Sequence, residues 1–358
     1  MQKIDWYIIK KFLGTFFFSI SLILLIVIVF DVSEKIDDFI EKSAPIKEII
    51  LDYYLNFIPY FGNLFSPLFT FVAVIFFTSK MANNTEIISI LASGVSFNRM
   101  LRPFLISATT LAILSFILGN FIIPPANENR LEFENKYIKN PYQNRDKNIH
   151  MQISPGEFIY VQSYNTKRNI GYRFCLEKFE NQELTEKLFT NYIQWNEETK
   201  DWTAHDYFLR KINQLNEIIE EGDSLTLSIN LSPDDFNQRK NNINTMSFFQ
   251  LNNFIKEEKM KGSKDLVFYI VEQQKRFAFP LATIVLTLVA VAMASRKIRG
   301  GIGLHLGLGL LISFAYILFM QISTTFAING DLSPVIAVWI PNFIFSLLGI
   351  YLLKKAPK

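Results

Sequence analysis

The sequence contains few of the residues on which metal and redox sites depend. Cys175 is the single cysteine, so neither an intrachain disulfide nor a cysteine metal cluster can form. The three histidines, His150, His205 and His305, lie far apart along the chain. The P-loop, H-E-x-x-H and G-x-S-x-G motifs are absent as well. We therefore expect no catalytic residues, no metal site and no cofactor bound by this chain, and we interpret Cys175 as a small strand residue.

A large excess of charge of one sign is also missing. The formal net charge is only +3, with 36 Lys and Arg residues against 33 Asp and Glu residues, which argues against nucleic-acid binding. Charged residues make up 19% of the chain, yet the mean hydropathy is positive at +0.19. Because a single soluble domain mixes charged and apolar residues along its length, these values indicate segregated apolar segments.

The apolar residues are concentrated in six uncharged runs, three on each side of a charged block at 124–276. That block holds almost two thirds of the charged residues. At 1.5 Å per residue, each run can cross a hydrocarbon core of ~30 Å. The pattern predicts a membrane α-helical bundle with six transmembrane helices, three plus three, and an inserted water-facing domain. The runs are 12–30, 53–79, 103–123, 277–295, 300–330 and 332–353.

This pattern divides the chain into three segments. The first transmembrane half is expected at 1–123, the inserted domain at 124–265 and the second half at 266–358. Pro124 and Pro125 predict the end of span three, because proline interrupts helices. The first run follows two lysines and no A-x-A cleavage site comes after it, so we expect a retained membrane anchor. In the second half, the spans are expected at about 270–295, 302–325 and 332–353.

The loop charges predict the orientation of the helices. Lysine and arginine accumulate on the cytoplasmic side of membrane helices. One set of helix ends is strongly cationic, with only Asp5 and Glu86 opposing it, whereas the loop on the other side of span one is acidic. Both termini are therefore expected in the cytoplasm and the inserted domain outside it. The cations are Lys3, Lys10, Lys11, Lys80, Arg99, Arg102, Arg296, Lys297, Arg299, Lys354, Lys355 and Lys358.

The inserted domain shows the alternating pattern of β-strands. Trp195 and Trp202 flank a polar turn at 196–201, which predicts a hairpin. Strands and turns at short spacing predict an antiparallel β-jelly-roll-like domain. Ser247 can cap a connector helix at about 247–261 that leads back to the membrane. The clearest strand segments are 157–162, 171–176, 188–195 and 225–231.

The fifth run begins with closely spaced glycines, among them Gly300, Gly307 and Gly309. Small residues of this kind let two membrane helices approach each other closely, so this end of span five is predicted to pack tightly. His305 lies among the glycines, near the cytoplasmic end, and we expect it at the membrane interface rather than as a ligand.

The cytoplasmic loop between spans two and three predicts a short helix at about 84–94. Asn84 or Thr85 can cap its start, Glu86 lies favourably at its positive end, and Gly94 suits its end. A short helix between two spans is a surface that a transmembrane subunit can offer to a motor protein. The alternative interpretation is a connecting turn.

The outer end of span one combines lysines with acids. Lys35 and Lys42 lie where ammonium groups can pair with the phosphates of an outer-leaflet lipid headgroup. Because acids outnumber lysines in this segment, the alternative interpretation is a solvated amphipathic extension. The residues by themselves leave both interpretations open.

Several segments together resemble a known family. Four segments are similar to the LptF/LptG (YjgP/YjgQ) family. They are the opening at 4–13, the loop at 85–94 with its acid followed by Ala-Ser-Gly, and the segments at 329–334 and 339–342. Its members are permease subunits of the lipopolysaccharide-export ABC transporter. The resemblance covers essentially the full length. The acidic-aromatic opening and the Gly-Asp-Leu-Ser-Pro turn before span six look closer to the LptG branch than to the LptF branch.

The resemblance implies a transport subunit rather than an enzyme. Two related permeases pair in the bacterial inner membrane, and a dimer of the cytoplasmic ATPase LptB binds their coupling helices and hydrolyses ATP. Closure of the cavity between the permeases pushes lipopolysaccharide out of the membrane. The glycolipid then passes over periplasmic β-jelly rolls, including LptC and LptA, toward the outer membrane. Spans one and five line the gate that faces the paired permease.

The resemblance also implies roles for particular residues. Glu86 matches the family's acidic coupling-helix residue and inherits the contact with the ATPase. Lys35 and Lys42 fall where LptG carries lysines that contact lipid A phosphates, although the family's lysine pair is replaced here by Glu41 and Lys42. The residues that match the coupling motif are Glu86, Ile87, Ala92, Ser93 and Gly94.

Two other functions stay open. A permease for a different lipid or for a lipoprotein would keep the coupling helix but would not need Lys35. A membrane-anchored binding or sensor protein would carry a cytoplasmic output domain, which we do not expect in this chain. The bound lipid distinguishes the first alternative, and an associated ATPase distinguishes the second.

Overall fold

The computed structural model shows two compact units. The first comprises Met1–Lys139, Ile243–Phe249 and Val267–Lys358, and the second comprises Asn140–Asn242 and Gln250–Leu266. The described residues are 2–139, 146–213, 216–237, 240–263, 265–296 and 301–355. Four residues named in the sequence analysis lie outside these ranges. Lys297, Arg299 and Lys358 are among the cations that predict the topology, and Gly300 begins the fifth run.

The described residues form helices and one group of strands. The helices are α1 Lys3–Glu41, α2 Ile46–Glu48, α3 Leu55–Asn83, α4 Glu86–Ala92, α5 Phe97–Ile117, α6 Ile123–Tyr137, α7 Pro233–Asn237, α8 Phe248–Lys261, α9 Leu266–Ala294, α10 Gly301–Ile328 and α11 Pro334–Lys354. The strands are β1 Lys147–Ser154, β2 Glu157–Asn165, β3 Ile170–Glu180, β4 Glu183–Asn196, β5 Asp201–Asn213 and β6 Asn216–Leu227. Two π-helical segments, Ile49–Tyr54 and Leu118–Ile122, and a 3-10 helix at Lys240–Thr245 complete the elements.

Within the described part of the chain, six helical segments are long and apolar enough to cross a membrane. The strands lie between the third and the fourth of these segments. The predicted six-helix bundle with an inserted antiparallel β domain is therefore confirmed. The six segments are Lys3–Glu41, Ile46–Asn83, Phe97–Tyr137, Leu266–Ala294, Ile302–Ile328 and Pro334–Lys354.

The helices of the first half extend beyond the uncharged runs. Helix α1 has 39 residues, which corresponds to a length of about 58 Å. The third helical segment continues through Pro124 and Pro125 to Tyr137, so these prolines do not end the helix. Both prolines directly follow the π-helical segment Leu118–Ile122. Local π-helical adjustments can accommodate the backbone groups that a proline leaves unbonded.

The buried core of the first unit is distributed unevenly among its helices. In the most apolar stretch of each span, 67% of the residues are buried in α9, but only 17% in α1 and 22% in α10. Helix α1 contributes one face to the core, through Ile8, Phe12, Phe16 and Ile20. Helices α1 and α10 therefore have few residues in their apolar stretches that are fully buried within this chain.

Helix α10 packs closely against α3. Gly309 lies so near Ile75 that an added Cβ would overlap the Ile75 side chain, whereas Gly307 faces open space. The predicted tight packing thus occurs at Gly309. His305 Nδ1 lies 2.8 Å from the Ser79 hydroxyl, and the histidine is only 4% exposed. His305 is therefore buried within the bundle, where Ser79 supplies its polar partner.

The second unit is built on one antiparallel sheet. Its strands are ordered β1-β2-β3-β4-β5-β6, which is a meander. Trp195 pairs with Trp202 across β4 and β5, with ring centroids 5.1 Å apart, so the predicted hairpin is present. Trp202 is fully buried, and its indole N–H donates to the Leu231 carbonyl over 2.8 Å. Cys175 lies in β3 as a free thiol whose pKa is raised by burial.

Candidate functional site

The short helix expected between spans two and three is α4, which covers Glu86–Ala92. Thr85 precedes it in the left-handed conformation, with φ of 61°, and its side chain makes no capping hydrogen bond. The hydroxyl instead donates to the Asn84 carbonyl over 2.6 Å, so the expected side-chain cap is not formed. Gly94, with φ of 89°, follows the helix, and its N–H donates to the Leu91 carbonyl over 3.1 Å. The helix therefore ends at the predicted glycine, which adopts this conformation without steric cost.

The residues of the coupling motif lie on two different sides of α4. Ile87 is 1% exposed and belongs to the buried core of the first unit. Ala92, Ser93 and Gly94 are exposed, and Ile88 is 55% exposed although it was not part of the predicted set. Ile87 therefore anchors the helix, while the other three and Ile88 form a surface that a second protein can reach.

Glu86 is bound to the first turns of α1. The Tyr7 hydroxyl donates to Glu86 Oε2 over 2.7 Å, and Lys11 Nζ lies 3.8 Å from Oε1. The Asn84 side chain also donates to Oε1, over 3.3 Å. Partial burial opposes ionisation of the carboxyl group, but the hydrogen bonds from Tyr7 and Asn84 and the charge of Lys11 outweigh it, so the pKa of Glu86 is lowered. Glu86 is thus a carboxylate held by its own chain.

A second ion pair lies beside the first. The Asp5 carboxylate accepts two hydrogen bonds from the Arg99 guanidinium, each 2.8 Å long. Asp5 is 5% exposed, and Arg99 lies in the first turn of α5, shortly after α4. Such a two-point contact fixes orientation as well as distance.

Sequence reasoning missed these partners, although it contained an indication of them. Asp5 and Glu86 are the two acids on an otherwise cationic side of the molecule, and both are paired with cations. Acids that oppose a cationic surface need a local reason to be there, and an ion pair is the usual one. Tyr7 carried no comparable indication, because an aromatic residue at a membrane interface is common.

At its other end, α1 holds the lysine that was expected to bind a lipid headgroup. Lys35 Nζ donates to Asp31 over 2.5 Å and also to the Tyr53 hydroxyl. The hydroxyls of Tyr53 and Tyr54 in turn donate to Asp31 over 3.2 and 3.1 Å. The Lys35 side chain is 20% exposed, so most of its surface is taken up by this network.

Lys42 has a different environment. It is exposed, and its Nζ lies 3.4 Å from the Ile138 carbonyl oxygen. A single long contact to a carbonyl leaves the ammonium group accessible from solvent. Of the two predicted headgroup residues, Lys42 is therefore the more accessible to an external phosphate.

The first unit also contains a cavity of about 130 Å³, lined by apolar and charged residues. Its cations are already engaged: Arg276 donates to the carbonyls of Met246 and Ile243, each over 2.8 Å, and Lys275 lies 2.7 Å from Glu272. Nowhere in the described ranges do three or more His, Cys, Asp or Glu residues form a group that could hold a metal ion. The cavity lining includes Tyr60, Asn63, Ser115, Asn244, Lys275 and Arg276.

The chain is similar in sequence to known permeases. The family model described as "Lipopolysaccharide export system permease LptF/LptG" matches residues 6–355. The chain is 19% identical over 305 residues to "Lipopolysaccharide export system permease protein LptG" of Escherichia coli strain K12, which covers 85% of this chain and 84% of the relative. The protein of the same name from Escherichia coli O6:H1 matches with the same identity and coverage. Because the family model matches nearly the whole sequence, the chain belongs to the LptF/LptG family of lipopolysaccharide export system permeases.

Proposed function

We propose that this chain is a permease subunit of an ABC transporter that extracts lipopolysaccharide from the inner membrane. The substrate would pass to a periplasmic bridge that leads toward the outer membrane. The observation that carries this proposal is the family match over residues 6–355. The six membrane-spanning segments and the β domain between the third and fourth agree with it.

The chain itself does not hydrolyse ATP in this proposal. An LptB-like ATPase dimer in the cytoplasm would dock on the exposed side of α4. That side presents Ile88 among small residues, which suits a groove on a partner protein. Glu86 would contribute a charge at the edge of this surface, and buried Ile87 would hold α4 against the bundle.

The orientation follows from the charges of the helix ends. The cationic ends would lie in the cytoplasm, together with both termini and α4, and the β domain would lie in the periplasm. The sequence resemblance favours the LptG branch, so the paired permease would be an LptF-like paralogue. LptC-like and LptA-like proteins would continue the path from the β domain.

The gate toward the paired permease would be formed by α1 and α10. Their apolar stretches are only 17% and 22% buried within this chain, whereas that of α9 is 67% buried. Because few residues in these stretches are buried within this chain, α1 and α10 can contact acyl chains at one stage and the second permease at another. Movement of these helices would open and close a cavity of lipid size.

At the outer end of the gate, Lys42 and Lys35 would contact phosphates of the lipopolysaccharide headgroup. Lys42 is accessible for this role. Lys35 would have to exchange its contacts with Asp31 and Tyr53 for a phosphate, which makes it the weaker of the two contributors.

Purification of the tagged protein from native membranes, followed by mass spectrometry of bound proteins and lipids, tests the proposal. We expect an LptB-like ATPase, a second six-span subunit and lipopolysaccharide. An ATPase with another lipid would keep the transporter class and replace the substrate. Recovery of neither from intact complexes would overturn the proposal in favour of a binding or sensor protein.

The docking surface can be tested with Ile88→Glu. This change places a charge on the exposed side of α4, and we expect it to lower recovery of the ATPase roughly tenfold or more. Ile46→Glu is the matched control, since Ile46 is also highly exposed, at 75%, but lies beyond α1, at the start of span two. Equal ATPase recovery with both variants would rule out α4 as the docking surface.

A further inference from the structure

We infer that the first turns of α1 form a clamp on the coupling helix, which transmits movement of α4 directly to span one. The clamp consists of Asp5, Tyr7 and Lys11 on α1, with Glu86 and Arg99 as their partners. The inference rests on the proposed function, because it assumes that an ATPase moves α4. It adds the route by which that movement reaches the gate.

The contacts lie at the start of α4 and in the helix that follows it. Glu86 is the first residue of α4 and binds Tyr7, whereas Arg99 lies in the helix that follows α4 and binds Asp5. Tyr7 and Lys11 lie one turn apart on the same face of α1, and Lys11 Nζ is 4.4 Å from the centroid of the Tyr7 ring. Both residues therefore meet Glu86 together.

Apolar packing holds α4 in the same bundle core, where it packs mainly against α3. Ile87, directly after Glu86, belongs to the buried cluster that also contains Ile8 and Phe12 of α1. Side chains from α1 thus contact or share a core with consecutive residues of α4. A shift of α4 would have to break these contacts or carry the start of α1 with it.

The rest of α1 is suited to pass the movement on. It is one continuous helix of 39 residues, and its sequence contains no proline. Sharp kinks in helices arise mainly at proline or at local insertions, so a displacement of the first turns is carried along the helix. The uncovered apolar middle of α1 is the part that faces lipid or a partner.

Glu86 can serve the clamp and the ATPase at the same time. Its side chain is 28% exposed, and the Tyr7 hydrogen bond occupies only Oε2. Lys11, at 3.8 Å from Oε1, is at the limit of an ion pair. A cation of the partner could therefore take the place of Lys11 while the Tyr7 contact persists.

Tyr7→Phe tests the clamp, because it removes one hydroxyl and leaves the exposed side of α4 unchanged. The complex with its ATPase is reconstituted in proteoliposomes, and lipopolysaccharide released per ATP hydrolysed is measured. We expect this ratio to fall roughly three- to tenfold, as for a lost hydrogen bond to a charged group near the surface, at unchanged ATPase recovery. Tyr351→Phe is the matched control. The Tyr351 hydroxyl accepts a hydrogen bond from Lys355, which lies one helical turn further along the chain, at the end of α11.

Two further sets of variants separate a positioning role from general damage. If Tyr7 acts through Glu86, the double variant Tyr7→Phe with Glu86→Gln should release no less lipid than Glu86→Gln alone. Asp5→Arg and Arg99→Asp should each lower the ratio, and their combination should restore most of it. Because the exchange of charges would also rescue a pair that only stabilised the fold, the ratio is compared at equal thermal stability of the variants in detergent.

The outcomes distinguish the clamp from the proposed function. If the wild-type complex recovers no ATPase or releases no lipopolysaccharide, the proposed function fails and the clamp fails with it. If the wild type transports and Tyr7→Phe keeps the full ratio, only the clamp is wrong. A Tyr7→Phe variant that loses ATPase recovery and release in equal proportion would assign Tyr7 to docking instead.

Discussion

The two ends of α1 are both fastened by carboxylates, but in different ways. At the N-terminal end, which is the inner end in the proposed orientation, Asp5 and Tyr7 reach residues of α5 and α4, and the Lys11 and Glu86 side chains stay 34% and 28% exposed. At the outer end, Asp31 collects three donors within an aromatic cluster. That cluster contains Phe39, Tyr53, Phe57, Phe133 and Tyr137.

The difference indicates what each end does. A buried carboxylate with every donor satisfied stabilises one arrangement, because each broken contact leaves a polar group without a partner. A half-exposed contact can exchange partners at small cost, because water or another protein can replace it. The outer end therefore serves stability, whereas the inner end combines a buried pair, Asp5 with Arg99, and a half-exposed contact at Glu86 that a partner protein can reach.

The largest effect is expected from Asp31→Ala, which tests whether the outer end of α1 is a stabilising network. The change leaves the Lys35 ammonium group and two tyrosine hydroxyls without their acceptor at an 11% exposed position. We expect the free energy of unfolding to fall by about 2–3 kcal/mol. Thermal unfolding of the purified protein in detergent measures it, with exposed Asp37→Ala as the control. Equal melting temperatures for the two variants would show that the outer end is not a stabilising network.

An intermediate effect is expected at the two outer lysines, whose roles should separate. Lys42→Ala should lower the amount of lipopolysaccharide that copurifies roughly two- to threefold, as for one exposed charge pair, without changing thermal stability. Lys35→Ala should instead lower thermal stability, since Lys35 is tied to Asp31 and Tyr53. The opposite pattern would make Lys35 the headgroup ligand and Lys42 a solvated residue.

The smallest effect concerns pH at the inner end. The pKa of Glu86 is lowered. Burial by itself would raise it, but the hydrogen bonds from Tyr7 and Asn84 and the charge of Lys11 outweigh this effect. A carboxyl group with a lowered pKa contributes stability that is fully present when the pH is above the usual pKa of the group. This stability is lost only as the pH falls through the lowered pKa. Lipid release per ATP should therefore not change through Glu86 between about pH 6 and pH 8. A decline in that range that Glu86→Gln abolishes would contradict the assigned ionisation state.

Part of the site could be foreseen from local sequence. The position of α4 and its end at Gly94 follow from an acid at a helix start and a glycine at its stop. The burial of Ile87 and the exposure of Ile88 could not be foreseen in the same way. In a helix of seven residues, the side that faces the bundle depends on how the two flanking spans enter the loop.

By itself, the sequence determined the number of spans, the inserted β domain and the hairpin at Trp195 and Trp202, because run length and strand alternation are local properties. The tertiary structure decided which charges meet. Tyr7 and Glu86 are 79 residues apart, and Asp5 and Arg99 are 94 residues apart. The tertiary structure also continued the third helix past its prolines and engaged Lys35 with Asp31 and Tyr53. Such pairings depend on how distant helices pack, and no periodicity within a single segment contains that information.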